Sequence, residues 1–188
     1  MAKIEYDNDS TGAREELRGS DNRINTSSRS DSRAYYNSRD RGLAFSMVYD
    51  HADAVAGEYV AYWQNVDSQG KTLVIQFCGV NSEQTARFKL SRVTGTAAGG
   101  TVVTPTNMNS EANSTGAGLA VCRQGASGDA ITGLTVQGEL DYVGVTAGGH
   151  QEMRVGDEVR LGQGDAVALE CSAGATGDAW GAIFGYYE

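Results

Sequence analysis

The chain has 188 residues, 40% of them hydrophobic, with 25 glycines, one proline, three cysteines and a formal net charge of −9. That length suits one domain with a sizeable core, or a domain plus an arm. Abundant glycine with almost no proline argues against collagen and proline-rich linkers and for tight turns between many strands.

The charge is unevenly distributed. Residues 1–42 hold eight Lys/Arg and eight Asp/Glu, a net charge of zero, so residues 43–188 carry the whole −9. An acidic body repels phosphate backbones, which speaks against nucleic-acid binding by that part. In residues 1–42 the main apolar side chains are Ile4, Tyr6, Leu17, Ile24, Tyr35 and Tyr36. Such a composition cannot offset its own backbone entropy, so the segment is expected to be disordered alone and ordered by contacts with other chains. One or two helical turns are expected over residues 11–18, where Glu15 and Glu16 come early. The Ser-Arg pairs Ser28-Arg29, Ser32-Arg33 and Ser38-Arg39 suggest an RNA-binding tail, but Asp21, Asp31 and Asp40 cancel the positive surplus that counterion release needs. Arginines at intervals along an arm suit carboxylates of a protein partner, which the guanidinium fork grips bidentately. Asp7–Gly12 begins like a calcium loop, yet its twelfth position is Arg18 where a bidentate Glu belongs.

From Leu43 the pattern changes to period two. Leu43, Phe45, Met47 and Tyr49 alternate with Ala44, Ser46 and Val48, and Tyr59, Ala61 and Trp63 with Val60, Tyr62 and Gln64. A third run covers residues 73–77, followed by a break at 81–84. The stretch 86–109 reads as a strand (87–93), a glycine-rich corner (95–100), a short β run (101–104) and a loop opened by Pro105. Further runs lie at 118–123, 131–137, 140–145, 158–161, 166–171 and 180–187. About ten short strands separated by turn clusters predict an all-β sandwich or barrel. One helical turn is expected at 51–56.

Gln69-Gly70-Lys71-Thr72 is similar to the end of a phosphate-binding loop. The pattern requires glycine where Asn65 stands and a helix where residues 73–77 read as a strand, so a hairpin turn is expected. His51 and His150 lack partners at metal spacing and are expected in loops or at the surface. Cys78, Cys122 and Cys171 lie inside apolar β patterns without C-x-x-C spacing, which predicts free thiols behaving as small hydrophobes in a reducing cytoplasm. No Gly-x-Ser-x-Gly elbow or anchored carboxylate pair suggests catalysis. A non-enzymatic protein with no cofactor and no metal is expected.

Several strings together resemble virion structural proteins of tailed bacteriophages. They are Gly57-Glu58-Tyr59 leading to Tyr62-Trp63-Gln64-Asn65, Gly70-Lys71 with Leu73-Val74-Ile75, residues 94–101 (TGTAAGGT) and residues 103–109 (VTPTNMN). The resemblance covers roughly residues 43–188 and implies a β-sandwich displayed on a particle behind an attaching N-terminal segment. The expectation is therefore a jelly-roll-like antiparallel β-sandwich at 43–188 with an extended polar arm at 1–42. The function it implies is that of a capsid decoration (cement) protein, located in the virion after synthesis in the host bacterial cytoplasm. Its partners would be the major capsid protein or other virion proteins and copies of itself, for instance as a trimer, with no nucleic acid and no membrane. Ile24, Arg29, Arg33, Tyr35, Tyr36, Arg39 and Arg41 are the expected partner contacts. The alternative is a tail-associated or fibre protein that grips a host glycan through aromatics such as Trp180, Tyr186 and Tyr187. The plainer reading makes those three part of a C-terminal core strand.

Overall fold

The computed structural model describes residues 5–8, 13–16, 37–38, 41–109 and 116–188. The chain divides into a unit of residues 1–31 and a unit of residues 32–188. In the first, β1 (Glu5–Asn8) pairs antiparallel with β2 (Ala13–Glu16). A strand therefore stands where helical turns were expected. Glu15 and Glu16 face Tyr6 and Glu5 across the ladder, a tertiary pairing that overrides local helix propensity.

The second unit is an all-β sandwich. Its strands are β3 (Ala44–Ala54), β4 (Glu58–Asn65), β5 (Leu73–Ser82), β6 (Ala86–Ala98), β7 (Thr101–Val103), β8 (Thr106–Asn107), β9 (Ala120–Gln124), β10 (Thr132–Val145), β11 (Gly149–Leu161), β12 (Ala166–Gly174) and β13 (Gly177–Tyr187). They form a six-stranded sheet in the order β10-β6-β12-β4-β9-β7 and a five-stranded sheet in the order β11-β5-β13-β3-β8. Every pairing is antiparallel.

Setting aside the short β7, β8 and β9, the first long strand pairs with the eighth, the eighth with the third and the third with the sixth. In the other sheet the second pairs with the seventh, the seventh with the fourth and the fourth with the fifth. This is the strand order of a jelly roll. The three short strands are inserted between its fourth and fifth strands and extend both sheets beyond β4 and β3. The turn expected at 51–56 is mostly strand, because β3 continues through Ala54 against β13.

The inner faces meet in one core. Trp63, Phe88, Leu90, Val167 and Leu169 come from the six-stranded sheet, and Phe45, Met47, Ile75, Ile183 and Tyr187 from the other. Phe45 and Tyr187 meet edge to face with centroids 5.9 Å apart. Two core tyrosines direct their hydroxyls to backbone carbonyls, Tyr187 donating to Leu119 at 2.8 Å and Tyr49 to Gly79 at 2.9 Å. Cys78, Cys122 and Cys171 are free and belong to this core, and burial pushes each thiol up, that of Cys78 to about 12.

The six-stranded sheet is also covered on its outward face. Tyr62 of β4, Ala166 and Ala168 of β12 and Val93 of β6 pack with Ile131, and Ala97, Val121 and Leu134 lie against them. The cover is a ribbon: the end of β6 and the start of β10 stay paired beyond β12, through register shifts at Thr132/Leu134 and Val136/Gly138. Ile131 at its root bridges to Tyr59 of β4. Bulges let a ribbon bend in this way.

Gly95 and Gly133, with φ of 109° and 80°, make the bend sterically possible. A Cβ on Gly95 would lie 2.3 Å from the Gly133 carbonyl oxygen, and one on Gly133 2.4 Å from that of Thr96. Arg123 fastens the next corner by donating to the Gly99 carbonyl at 2.8 Å.

Gly133→Ala is expected to cost about 2–3 kcal/mol of unfolding free energy in urea denaturation. Gly138→Ala lies in the same strand, where an added Cβ meets nothing within 4 Å. It should change stability by less than about 0.5 kcal/mol.

Candidate interaction face

The outward face of the five-stranded sheet has a different character. Along β13 the inward positions Ala179, Gly181, Ile183, Gly185 and Tyr187 alternate with outward Trp180, Ala182, Phe184 and Tyr186. Glycines occupy two inward positions because there is no room for more. A Cβ on Gly181 would lie 2.0 Å from the Gly79 carbonyl oxygen and 2.7 Å from the Tyr49 hydroxyl. The strand therefore sends three of its four aromatic side chains outward.

Register assigns each of them its neighbours. Tyr186 stands between Ala44 of β3 and Val74 of β5, Phe184 between Ser46 and Phe77, Ala182 between Val48 and Gly79, and Trp180 between Asp50 and Asn81. Tyr186, Val74 and Ala44 form a small cluster of their own with exposures of 0%, 0% and 2%. Phe77 and Phe184 stack with centroids 4.2 Å apart and planes 23° from parallel. Farther along, Trp180 is 39% and Val48 61% exposed, so the face grades from closed to open along β13.

β11 supplies a polar border. Arg154 donates to Glu152 at 2.7 Å, His150 Nδ1 lies 3.1 Å from Asn81 Oδ1, and the His150 ring rests against Gly79. The hydrogen bond from Arg154 is the main reason the Glu152 carboxyl lies below its ordinary value. An apolar, aromatic centre with a charged border has the anatomy of a protein interface.

At the closed end lies a groove of about 210 Å³ lined by Ser38, Ala44, Gln76, Phe77, Met108, Phe184 and Gly185. The entry of the chain into β3 frames it. The Leu43 amide donates to the Asn37 carbonyl at 2.8 Å, and the Met108 amide to the Ala44 carbonyl at 2.9 Å. Asn107 donates its side-chain amide to the Gly42 carbonyl at 2.7 Å. Asn37, Ser38, Gly42 and Leu43 thus sit beside the aromatic face.

Of the expected partner contacts, Ile24, Arg29, Arg33, Tyr35, Tyr36 and Arg39 lie outside the described residues. Arg41 is exposed in the turn that precedes β3. Tyr186 and Tyr187 are fully buried, whereas Trp180 is an outward residue rather than a core one. His51 is neither in a loop nor at the surface. It lies in β3 with no exposure, its Nδ1 3.0 Å from the Ala52 carbonyl oxygen and its Nε2 3.6 Å from Glu58 Oε2. The expectation failed because Gly125, which has no side chain, packs directly on that ring. His150 is half-exposed, on a strand.

The Gln69–Thr72 string is a turn, but it joins the two sheets instead of closing a hairpin. Asp67 organises it, accepting from the amides of Gln69 at 2.9 Å and Lys71 at 2.8 Å. Asn65 donates to the Lys71 and Leu161 carbonyls, both at 2.8 Å. Among the described residues no group of three or more His, Cys, Asp or Glu converges on a point. Comparison of the chain with family models, with curated proteins and with solved structures finds no match.

Removing the outward Phe184 ring (Phe184→Ala) should cost about 1 kcal/mol, the scale of an aromatic pair. Ile183→Ala, one residue away in the core, should cost about 3 kcal/mol. Equal losses in urea denaturation would mean that the outward face is core. Burial alone would raise the Asp67 carboxyl, but the Lys71 amide and ammonium and the Gln69 amide together hold it below its ordinary value. Its contribution is therefore present above about pH 4, the unfolded value, and is lost as pH falls through the lower folded value. Asp67→Asn should lower the urea midpoint at pH 7, and its deficit against the parent protein should shrink on acidification from pH 5 to 3.

Proposed function

We propose that the chain is a structural protein of a tailed-phage virion, a decoration protein whose N-terminal arm and aromatic sheet face together engage major capsid subunits. One observation carries the reading: Asn37, Ser38 and the turn before β3, next in sequence to the arm, lie beside the aromatic face. A partner held by the arm is then brought against that face. Arg29, Arg33, Arg39 and Arg41 pair with carboxylates of the capsid subunit, Ile24 adds an apolar anchor, and the outward residues near Val48 and Trp180 complete the contact. Copies of the chain on one particle make the attachment multivalent, so modest contacts add to a high avidity. The jelly-roll body supports this reading only as a common vehicle for display, since a fold does not specify a function.

The second reading, a fibre or tail-tip protein binding a host glycan, is favoured by one feature. Trp180 is accessible beside Asn81, His150 and Glu152, an aromatic platform with polar groups at its edge. Abundance separates the two readings, because a decoration protein occurs in high copy number per particle and a tail-tip protein in a few copies.

The test uses heads of the phage that encodes the chain, assembled without it and mixed with purified protein. The parent protein should co-sediment in high copy number. The variant combining Arg29→Glu, Arg33→Glu, Arg39→Glu and Arg41→Glu should bind about tenfold or more weakly, since opposing charges become like charges. Equal binding by the variant, or saturation at a few copies per head, would contradict the proposal.

A further inference from the structure

At one end of the six-stranded sheet, where β6 begins and β10 and β12 end, lies a hollow of about 370 Å³. Small-molecule sites begin at ~300 Å³. Ala86 and Val145, which line it, belong to the main core and give it an apolar wall. Register places Gly144 of β10 and Ala173 of β12 on either side of Arg87. One row along, Lys89 has Glu170 opposite it and is neutralised by Glu139 and Glu170, each at 3.3 Å. Lys71, Arg92, Arg154 and Arg160 also meet carboxylates, and Arg123 meets a backbone carbonyl. The Arg87 guanidinium, in a body that carries the whole −9, has no partner among the described residues. Gly144 keeps the space beside it open. Its φ is not positive and a Cβ there would meet nothing within 4 Å, so neither backbone nor crowding calls for glycine. Glycine weakens a strand interior, and its presence there often marks the approach of a ligand. Thr85 and Thr146 add hydroxyls to the lining. The Thr85 oxygen accepts from the Ala147 amide at 3.3 Å, which leaves its proton to donate.

We propose that this hollow binds a small carboxylate with an apolar body. The Arg87 guanidinium grips the carboxylate, a threonine hydroxyl donates to it, and the body lies against Ala86, Val145 and Ala173 in the space that Gly144 leaves. One cation neutralises one negative charge, and the acidic sandwich around it opposes a doubly charged phosphate, which selects a carboxylate. The carboxylate belongs to a small molecule because an acidic side chain of a protein partner would leave most of the volume unfilled. The lining comes from β6, β10, β12 and the turns beside them, and none of it from the aromatic face. The inference therefore stands whether or not that face meets a capsid.

The full-length, isotope-labelled chain is titrated by amide NMR with hydrocinnamate, with its uncharged amide, and with acetate, which lacks the apolar body. Hydrocinnamate should shift the amides of Arg87, Gly144 and Val145 saturably, and the two controls should bind about tenfold or more weakly. Arg87→Gln should weaken hydrocinnamate about tenfold, as loss of a charge-assisted pair requires. Gly144→Val should fill the hollow and abolish binding without lowering the urea midpoint, since the added side chain enters open space. Absence of saturable shifts in the parent protein would overturn the proposal, as would equal binding of acid and amide or unchanged affinity in either variant. If hydrocinnamate does not bind and Gly144→Val instead co-sediments more weakly with heads, the hollow belongs to an acidic side chain of a partner. That result would also overturn the proposal.

Discussion

Two positions without a Cβ, Gly95 and Gly133, set where the ribbon of β6 and β10 can turn, and much of the sandwich depends on that turn. Each lies against a backbone carbonyl at a separation no side chain could occupy. Because the ribbon bends there, Ile131, Leu134 and Ala97 reach the outward face of the six-stranded sheet and bury Tyr62, Val93, Ala166 and Ala168. With a straight ribbon those four residues would face water, and the sheet would keep an apolar outer surface open to association. The chain thus closes one side of its own jelly roll by local backbone geometry.

The other side is organised by a different device, the alternation of small inward and large outward residues along β13. Gly181 and Gly185 leave space for the Tyr49 hydroxyl and for neighbouring backbone inside, so Trp180, Phe184 and Tyr186 are directed outward. The result is graded along the strand: a closed tyrosine cluster, then a stacked phenylalanine pair, then an open stretch bordered by Arg154, Glu152 and His150. In the decoration function proposed above, a partner laid on the open end would add its contacts to those of the arm, so that many weak contacts would act together.

The sequence showed the period of two clearly, and with it the fold class. Phe45, Met47 and Tyr49 are inward as their alternation requires. It did not show the second apolar layer. Tyr62 alternates with inward Trp63, and only the fold of a distant ribbon makes both buried. The runs at 131–137 and 140–145 read as two strands because their pattern slips. In the structure they are one strand with bulges, where register shifts interrupt the alternation without ending the pairing. The outward direction of Trp180 was hidden for a related reason, since a strand with apolar residues on both faces reads as core. Glycines spaced four apart between aromatics, Gly181 and Gly185, were the available signal. A lone histidine such as His51 gives no sign of a glycine at position 125 that packs on its ring.

The central claim is that the outward face of the β3-β13-β5-β11 sheet, and not the opposite side of the sandwich, is turned towards the partner. Carbene footprinting read by mass spectrometry, on the free protein and on the protein bound to its particle, addresses this directly. The account predicts that labelling of Val48 and Trp180 falls sharply on binding while that of Tyr142, an exposed residue of β10, is unchanged. Unchanged labelling of Val48 and Trp180 with protection of Tyr142 would contradict it.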